Sequence, residues 1–520
     1  MLGTISSDNF HRDHNLSPIQ DEISDNLLEH DETTSNLPED FPRGIFLRIG
    51  PNQQFRPRGR HHWFDGDGMI HAVTFLKNNT VRYTNKYVRT EKYNLEHLFG
   101  RSIIHGMLDC VNPIRHIDML FMRLVYGVPI KNYQANTANT SIVYHAKSCY
   151  ASVENCLPYE IELPTLRTIG LRDMGSKYTQ SSFTAHPKVD VNTGELIGFN
   201  YNAVKPFLSY HIFDRFGTLV HTTPISEAPH ATMMHDFAIT KNYSLFIFGS
   251  VVLDVWRAVA GIPFLYFNKH LPTKIAIIKR YHQDGIDPIR WFTFKPGHVF
   301  HIANAYEDQN EIIMHCCRMD EFKLNLLPKK GASMDVVEAG AKFYEYKMNL
   351  ASGESQERYL TFKNQDAKDA VPEVILCEFP IINSNRVGRP YQYCWVARTP
   401  RDGQVSDAIV KLNVKNCTYK EYYFGCENKR AGEWIHVPSE RFDAKEDDGY
   451  TLNFLYNEKN NTSTLEILDS STLCKDSIVR FNCPRRVPYG FHGAFVPERE
   501  YNPVRIESPT AGPPGSPTFL

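Results

Sequence analysis

A chain of 520 residues with 42% hydrophobic and 22% charged side chains has the make-up of an ordinary globular protein, and its length admits either two or three average domains or one large all-β unit. Its net charge is only −2 and no apolar run reaches the length of about 18 residues that spans a bilayer, so a transmembrane helix is excluded and no nucleic-acid partner is expected. Eleven cysteines, an odd count with Cys316 and Cys317 adjacent and no C-x-x-C pair, argue against a disulfide framework and a structural zinc site and for a reducing, cytoplasmic setting.

Residues 1–40 carry ten carboxylates against Arg12, a local −9 that leaves +7 for the remainder. With no periodic apolar positions, no Arg-rich transit pattern and no apolar signal core, this stretch is expected to be a disordered acidic tail. From Phe41 the character changes. The run Gly44-Ile45-Phe46-Leu47-Arg48-Ile49-Gly50-Pro51-Asn52 predicts a strand ending in a turn. Residues 61–75 predict two strands around Asp65-Gly66-Asp67-Gly68, a tight turn in which glycine supplies positive φ. A calcium loop is the alternative for the two aspartates, but the run lacks the spaced ligands and distal glutamate. Residues 93–129, including Met119-Leu120-Phe121-Met122-Arg123-Leu124-Val125-Tyr126, predict a partly helical cap.

Short β-rich runs then recur at 140–144, 149–153, 196–201, 208–213, 244–253, 274–278, 291–294, 311–315, 391–397, 408–412, 451–455 and 464–468. Turn signals such as Asn192-Thr193-Gly194 and Asp447-Asp448-Gly449 divide some of them. So many short strands predict an all-β sandwich or propeller, although no repeat of fixed period is visible. Residues 252–267 differ: Val255, Trp256, Ile262, Phe264, Leu265 and Phe267 form an apolar, aromatic stretch broken by Gly261 and Pro263, with Lys269, Lys274, Lys279 and Arg280 close behind. That pattern suits a surface patch dipping into a membrane face with cations at the headgroups, and a buried loop is the plain alternative. The Pro-, Gly- and Ser-rich end reads as a flexible tail, so the expected organisation is a tail over 1–40, one body over 41–503 and a tail over 504–520.

Four of the 22 histidines stand in comparable apolar runs: His186 in Ser182-Phe183-Thr184-Ala185-His186-Pro187, His235 in Met233-Met234-His235-Asp236-Phe237-Ala238-Ile239-Thr240, His301 in Val299-Phe300-His301-Ile302-Ala303-Asn304, and His492 in Val487-Pro488-Tyr489-Gly490-Phe491-His492-Gly493. An unpaired imidazole in such a run is costly, which points to metal ligation. His230 and His298 are the nearest rivals, but each follows a turn residue. Spaced so far apart, the four can meet only if a radial body brings separate strand ends to one axis, as a β-propeller does.

Taken in order, the motifs Phe41-Pro42-Arg43-Gly44, residues 63–68, Asn136-Thr137-Ala138-Asn139-Thr140, Thr184-Ala185-His186-Pro187-Lys188-Val189-Asp190, residues 234–240, His301 with Asn304-Ala305-Tyr306-Glu307, Glu378-Phe379-Pro380, residues 446–450 and residues 486–493 resemble those of the carotenoid cleavage oxygenases, most closely the plant enzymes of broad carotenoid specificity. The resemblance implies a seven-bladed β-propeller with a helical and loop cap over one face, carrying Fe(II) on His186, His235, His301 and His492. It further implies that Glu154, Glu378 and Glu433 accept the free imidazole N–H of His235, His301 and His492 respectively, and that Val153 narrows access to an open iron position. A carboxylate on the far ring nitrogen fixes the tautomer of a ligating histidine and raises its basicity.

The expected reaction is cleavage of a conjugated C=C bond of a carotenoid or apocarotenoid by O₂ into two carbonyl products, with peripheral membrane contact and no obligate protein partner. Two alternatives stay open: the same fold and iron acting as a retinyl-ester isomerohydrolase or a stilbene-cleaving oxygenase, and a propeller that binds carotenoid without turnover.

Overall fold

In the computed structural model, the described strands pair into seven sheets that stand as blades around one axis and one further two-stranded sheet, and the description covers residues 18–57, 64–104, 136–154, 156–260, 264–322, 340–400 and 405–502. Chain order sets blade order. The innermost strands of blades 2 to 7 are Ser141–His145, Lys188–Asp190, Ala238–Ile239, His298–Asp308, Cys377–Ile381 and Ile435–Pro438. Blade 1 is closed by both ends of the chain: Gly44–Pro51 pairs antiparallel with the C-terminal strand Gly493–Pro497, from Gly44 opposite Pro497 to Arg48 opposite Gly493. That closure leaves the ring without a free seam.

Burial grades outward and explains which strands are readable in sequence. Gly44–Pro51 and Leu208–Phe213 are buried at every position and read as continuous apolar runs, whereas the outer strand Arg167–Leu171 has no buried residue and carries little apolar signal. Between blades the faces interlock: Phe46, Val73, Phe75 and Tyr83 of blade 1 pack against Phe454, Leu465 and Ile467 of blade 7. Each such buried side chain contributes on the order of 1.5–3 kcal/mol.

The acidic stretch expected to be a disordered tail over 1–40 is corrected for its described part. Ile23–Leu27 adds to the outer edge of blade 1 against Val81–Tyr87, and Glu29–His30 adds to the edge of blade 7 against Val479–Asn482. The segment thus straps the first and last blades together. Its carboxylates meet arginines of the body, Glu22 on Arg89 at 2.7 Å, Asp25 on Arg82 and Asp31 on Arg480, and Leu28 is buried beneath them. Backbone pairing and distant cations hold it, neither of which shows as local periodicity. Residues 1–17, the segment 119–126 and the tail over 504–520 lie outside the described residues.

The innermost strands all run away from one face, the face on which the four histidines enter. Helix Glu91–Phe99, capped by the Thr90 side chain and ended by Gly100 at φ 63°, lies in a connection on that face, as does the insertion of residues 249–272. Within that insertion Val251–Leu253 pairs with Leu265–Phe267 and brackets the helix Val255–Val259. Val255 is 40% and Trp256 77% exposed, while Phe264, Leu265 and Phe267 are half-buried; Ile262 lies outside the described residues. The cations expected beside this patch divide. Lys279 and Arg280 stand at the far end of the strand Thr273–Lys279, paired with Asp287 at 2.6 Å and Asp190 at 2.5 Å, and belong to the opposite face. Among the described residues no helix is long and apolar enough to cross a membrane. Asp67, weighed as a calcium ligand, is engaged by Lys92 Nζ at 2.8 Å.

Candidate metal centre

Each blade delivers one residue to the axis. His186 lies two residues before the inner strand of blade 3, His235 three before that of blade 4, His301 within that of blade 5, and His492 immediately before the closing strand of blade 1. Glu154 comes from the connection after the second strand of blade 2, Glu378 from the inner strand of blade 6, and Glu433 from the approach to that of blade 7. Local irregularity turns several of them inward. The strand His298–Asp308 shifts register on both sides of Ile302, and Cys377–Ile381 shifts after Glu378, where Phe379 takes φ 53°. Such bulges re-aim side chains, and a positive φ outside glycine is a cost the surroundings must hold in place.

The structure brings the four histidines together. One ligating nitrogen from each lies within 4.8 Å of all the others. Nε2 of His186 is 3.0 Å from Nε2 of His235, which is 3.2 Å from Nε2 of His301, which is 3.2 Å from Nε2 of His492. For metal–nitrogen bonds of about 2.1 Å, right-angle neighbours stand about 3.0 Å apart, so the spacing fits one shared cation.

On the outer side three of the rings meet carboxylates. His301 Nδ1 donates to Glu378 Oε2 at 2.5 Å, His492 Nδ1 to Glu433 Oε1 at 2.9 Å, and His235 Nδ1 to Glu154 Oε1. With the proton on Nδ1, each Nε2 presents its lone pair inward, and lone pairs facing one another at this range are repulsive without a cation between them. Among the described residues His186 has no carboxylate partner, and its backbone N–H is held by Thr184 Oγ1 at 3.0 Å.

The electrostatics agree with neutral inward-facing ligands at two positions. Burial, then the facing rings, drives the pKa of His186 and His301 well below the ordinary imidazole value. At His235 burial works the same way but is outweighed by the charge and hydrogen bond of Glu154, which leave the value raised. Burial pushes Glu378 up to about 7. Glu154 ends below its usual range because His235 and the Tyr201 hydroxyl, 2.6 Å from its Oε2, outweigh burial.

Of the rivals, His230 is turned to the Gly249 carbonyl at 3.1 Å, and His298 packs between Phe300 and Phe322; neither joins the cluster. Val153 is half-buried at the corner that leads into Glu154. Sequence reasoning did not assign Tyr201, Phe300 or Phe379. The Phe379 ring stacks on His301 at 5.1 Å and meets His492 at 5.5 Å, while Phe300 stands edge-on to His235 at 5.1 Å. The signal for two of them was local, an aromatic directly beside a proposed ligand or carboxylate.

A family model described as retinal pigment epithelial membrane protein matches residues 16–497. The chain is 31% identical over 513 residues, 94% of its length and 89% of the relative's, to carotenoid 9,10(9',10')-cleavage dioxygenase 1 of Arabidopsis thaliana. Among solved structures it is similar to a lignostilbene dioxygenase of Pseudomonas brassicacearum, with a TM-score of 0.79 at 26% identity over 94% of this chain and 98% of that one. It shares its fold with a Synechocystis apocarotenoid oxygenase, TM-score 0.76 at 23% identity over 95% and 99% of the two chains.

Proposed function

Because this chain belongs to the retinal pigment epithelial membrane protein family, the carotenoid cleavage oxygenases, we propose that it is an Fe(II)-dependent dioxygenase that cleaves a conjugated C=C bond of a carotenoid or apocarotenoid. The observation that carries this reading is the meeting of four Nε2 atoms with three of the rings anchored through Nδ1 to carboxylates, Glu433 buried and Glu154 and Glu378 half-buried. His186, His235, His301 and His492 would hold the iron. When bound, the iron supplies the activation of O₂, and the overall reaction converts one C=C bond and one O₂ into two C=O groups.

The protein's own residues bind and orient. Glu154, Glu378 and Glu433 hold three rings in one tautomer and, as three negative charges around a divalent cation, leave little net charge to bury. The faces of Phe300 and Phe379 beside the ligands offer an apolar wall against which a polyene can lie. Val153, next to Glu154, would narrow the approach on that side. Placing one double bond against the reacting centre is then a matter of apolar packing, with water kept out by the same aromatic faces.

The exposure of Val255 and Trp256, on the face where the histidines enter, supports a shallow contact with a lipid surface, from which an apolar substrate would be drawn. Co-sedimentation with neutral vesicles should fall for Trp256→Ser with Val255→Ser while iron content is unchanged; equal sedimentation removes the patch from the account.

The function is tested by measuring iron content and O₂ uptake with β-carotene, an apocarotenal, a hydroxystilbene and a retinyl ester. Uptake with a carotenoid or apocarotenal is expected. Uptake with the stilbene alone, or ester isomerisation without uptake, would replace the substrate; iron-free protein that binds carotenoid without uptake would replace the enzyme.

A further inference from the structure

His186, His235 and His301 come from three different sheets, with no backbone ladder running from one to the next. Something other than strand pairing must fix their mutual positions. Asp236 stands where the three meet. Its Oδ1 accepts from Lys188 Nζ at 2.7 Å and from the Phe237 backbone N–H at 2.8 Å, and its Oδ2 accepts from the Ile302 N–H at 2.9 Å. Lys188 lies two residues after His186, Asp236 directly after His235, and Ile302 directly after His301. The Asp236 side chain is 3% exposed and that of Lys188 21%. Ile302 is also the residue on either side of which its strand shifts register, so the bulge that turns His301 inward coincides with an N–H bonded across to the neighbouring blade.

We propose that Asp236, with Lys188, is a positioning residue that ties the three histidine-bearing segments to one another and so sets the spacing of His186, His235 and His301 for metal. The inference rests on the four-histidine centre being a metal site. Three donors converge on two oxygens, an arrangement only an acceptor-only carboxylate satisfies. An asparagine would turn an NH₂ group against a facing N–H: with its oxygen at the Oδ1 place the tie to Ile302 is lost, and with the amide flipped the ties to Lys188 and Phe237 are lost. Asp236 acts through strand position and is not itself a ligand, in the way outer hydrogen bonds tune metal sites by about 10- to 100-fold in affinity.

The test uses the full chain loaded with Co(II), whose visible absorption reports ligand geometry, with affinity read by competition against a chelator. Wild type is measured first, then Asp236→Asn, Asp236→Ala and Lys188→Met, with Asp287→Asn as a surface-pair control. Both Asp236 variants should bind Co(II) about 10- to 100-fold more weakly with a shifted spectrum. Lys188→Met should weaken binding less, and the control should match wild type. A merely structural role would lower the thermal midpoint without altering the spectrum of the folded protein. Folded variants with wild-type affinity and spectrum overturn the inference and leave the metal reading standing. If the Asp236 variants fail to fold, Lys188→Met decides, and an unchanged spectrum and affinity there overturns it. A wild-type protein that takes up no cobalt overturns the metal reading and the inference together.

Discussion

Removing one imidazole from the four-nitrogen cluster takes away a ring nitrogen that no other described histidine is placed to replace, because His230 and His298 are turned elsewhere. His186→Ala, His235→Ala, His301→Ala and His492→Ala should each abolish cleavage with loss of iron, and full activity in any one would strike that residue from the site. Glu378→Gln should act more mildly. The amide oxygen can still accept from His301 Nδ1 but brings no charge, so iron affinity should fall about 10- to 100-fold and cleavage should be reduced, not lost, by iron titration. The four converging histidines were legible because an imidazole inside an apolar run needs a reason to be there. Asp236 was not, although it stands beside His235, because two of its donors, Lys188 and Ile302, arrive from other blades and nothing within its own motif shows them.

The closing strand Gly493–Pro497 is the element on which both the ring and His492 depend. A Cβ at Gly493 would lie 2.5 Å from the Leu47 carbonyl, and one at Gly44 would lie 2.5 Å from that of Val496. Each alanine variant should cost about 1–3 kcal/mol of stability. Only Gly493→Ala, next to His492, should also weaken iron binding in the folded protein; equal iron affinity in the two variants would mean the strand's position does not reach the site. At this scale the sequence was informative where strands are buried on both faces, such as Leu208–Phe213, predicted at the same residues. It was silent for Arg167–Leu171, which lacks an apolar face, and misleading for residues 23–30, which are held by edge pairing and by arginines far along the chain. The turn of Phe379 to φ 53° goes with an N–H given to the adjacent Glu378 at 2.9 Å and with a stack on His301, and that ring arrives from another blade where the motif's own composition does not show it.

The propeller was reached from the need to gather distant histidines and from the family resemblance, not from a repeat, and the reason is visible in the blades. The inner strand of blade 4 has two residues and that of blade 5 eleven, and insertions such as residues 249–272 enlarge single blades on the histidine face. The whole molecule should also be acid-labile. Burial holds His211 and His436 near a pKa of about 3, so between about 3 and 6.5 the unfolded chain binds protons that the folded protein does not. Stability therefore falls as pH drops through that window, by up to about 1.4 kcal/mol per pH unit for each ring. The thermal midpoint should drop from pH 7 to pH 5, and His436→Phe, which keeps a ring on Trp395, should flatten the profile; an unchanged slope would mean His436 is protonated in the fold. The central claim, that a four-histidine iron site at the hub splits a polyene with dioxygen, is tested most directly by the masses of the products formed from a small carotenoid panel. Two carbonyl fragments whose masses sum to substrate plus one O₂ are predicted; recovered substrate, or fragments that account for added water alone, would contradict it.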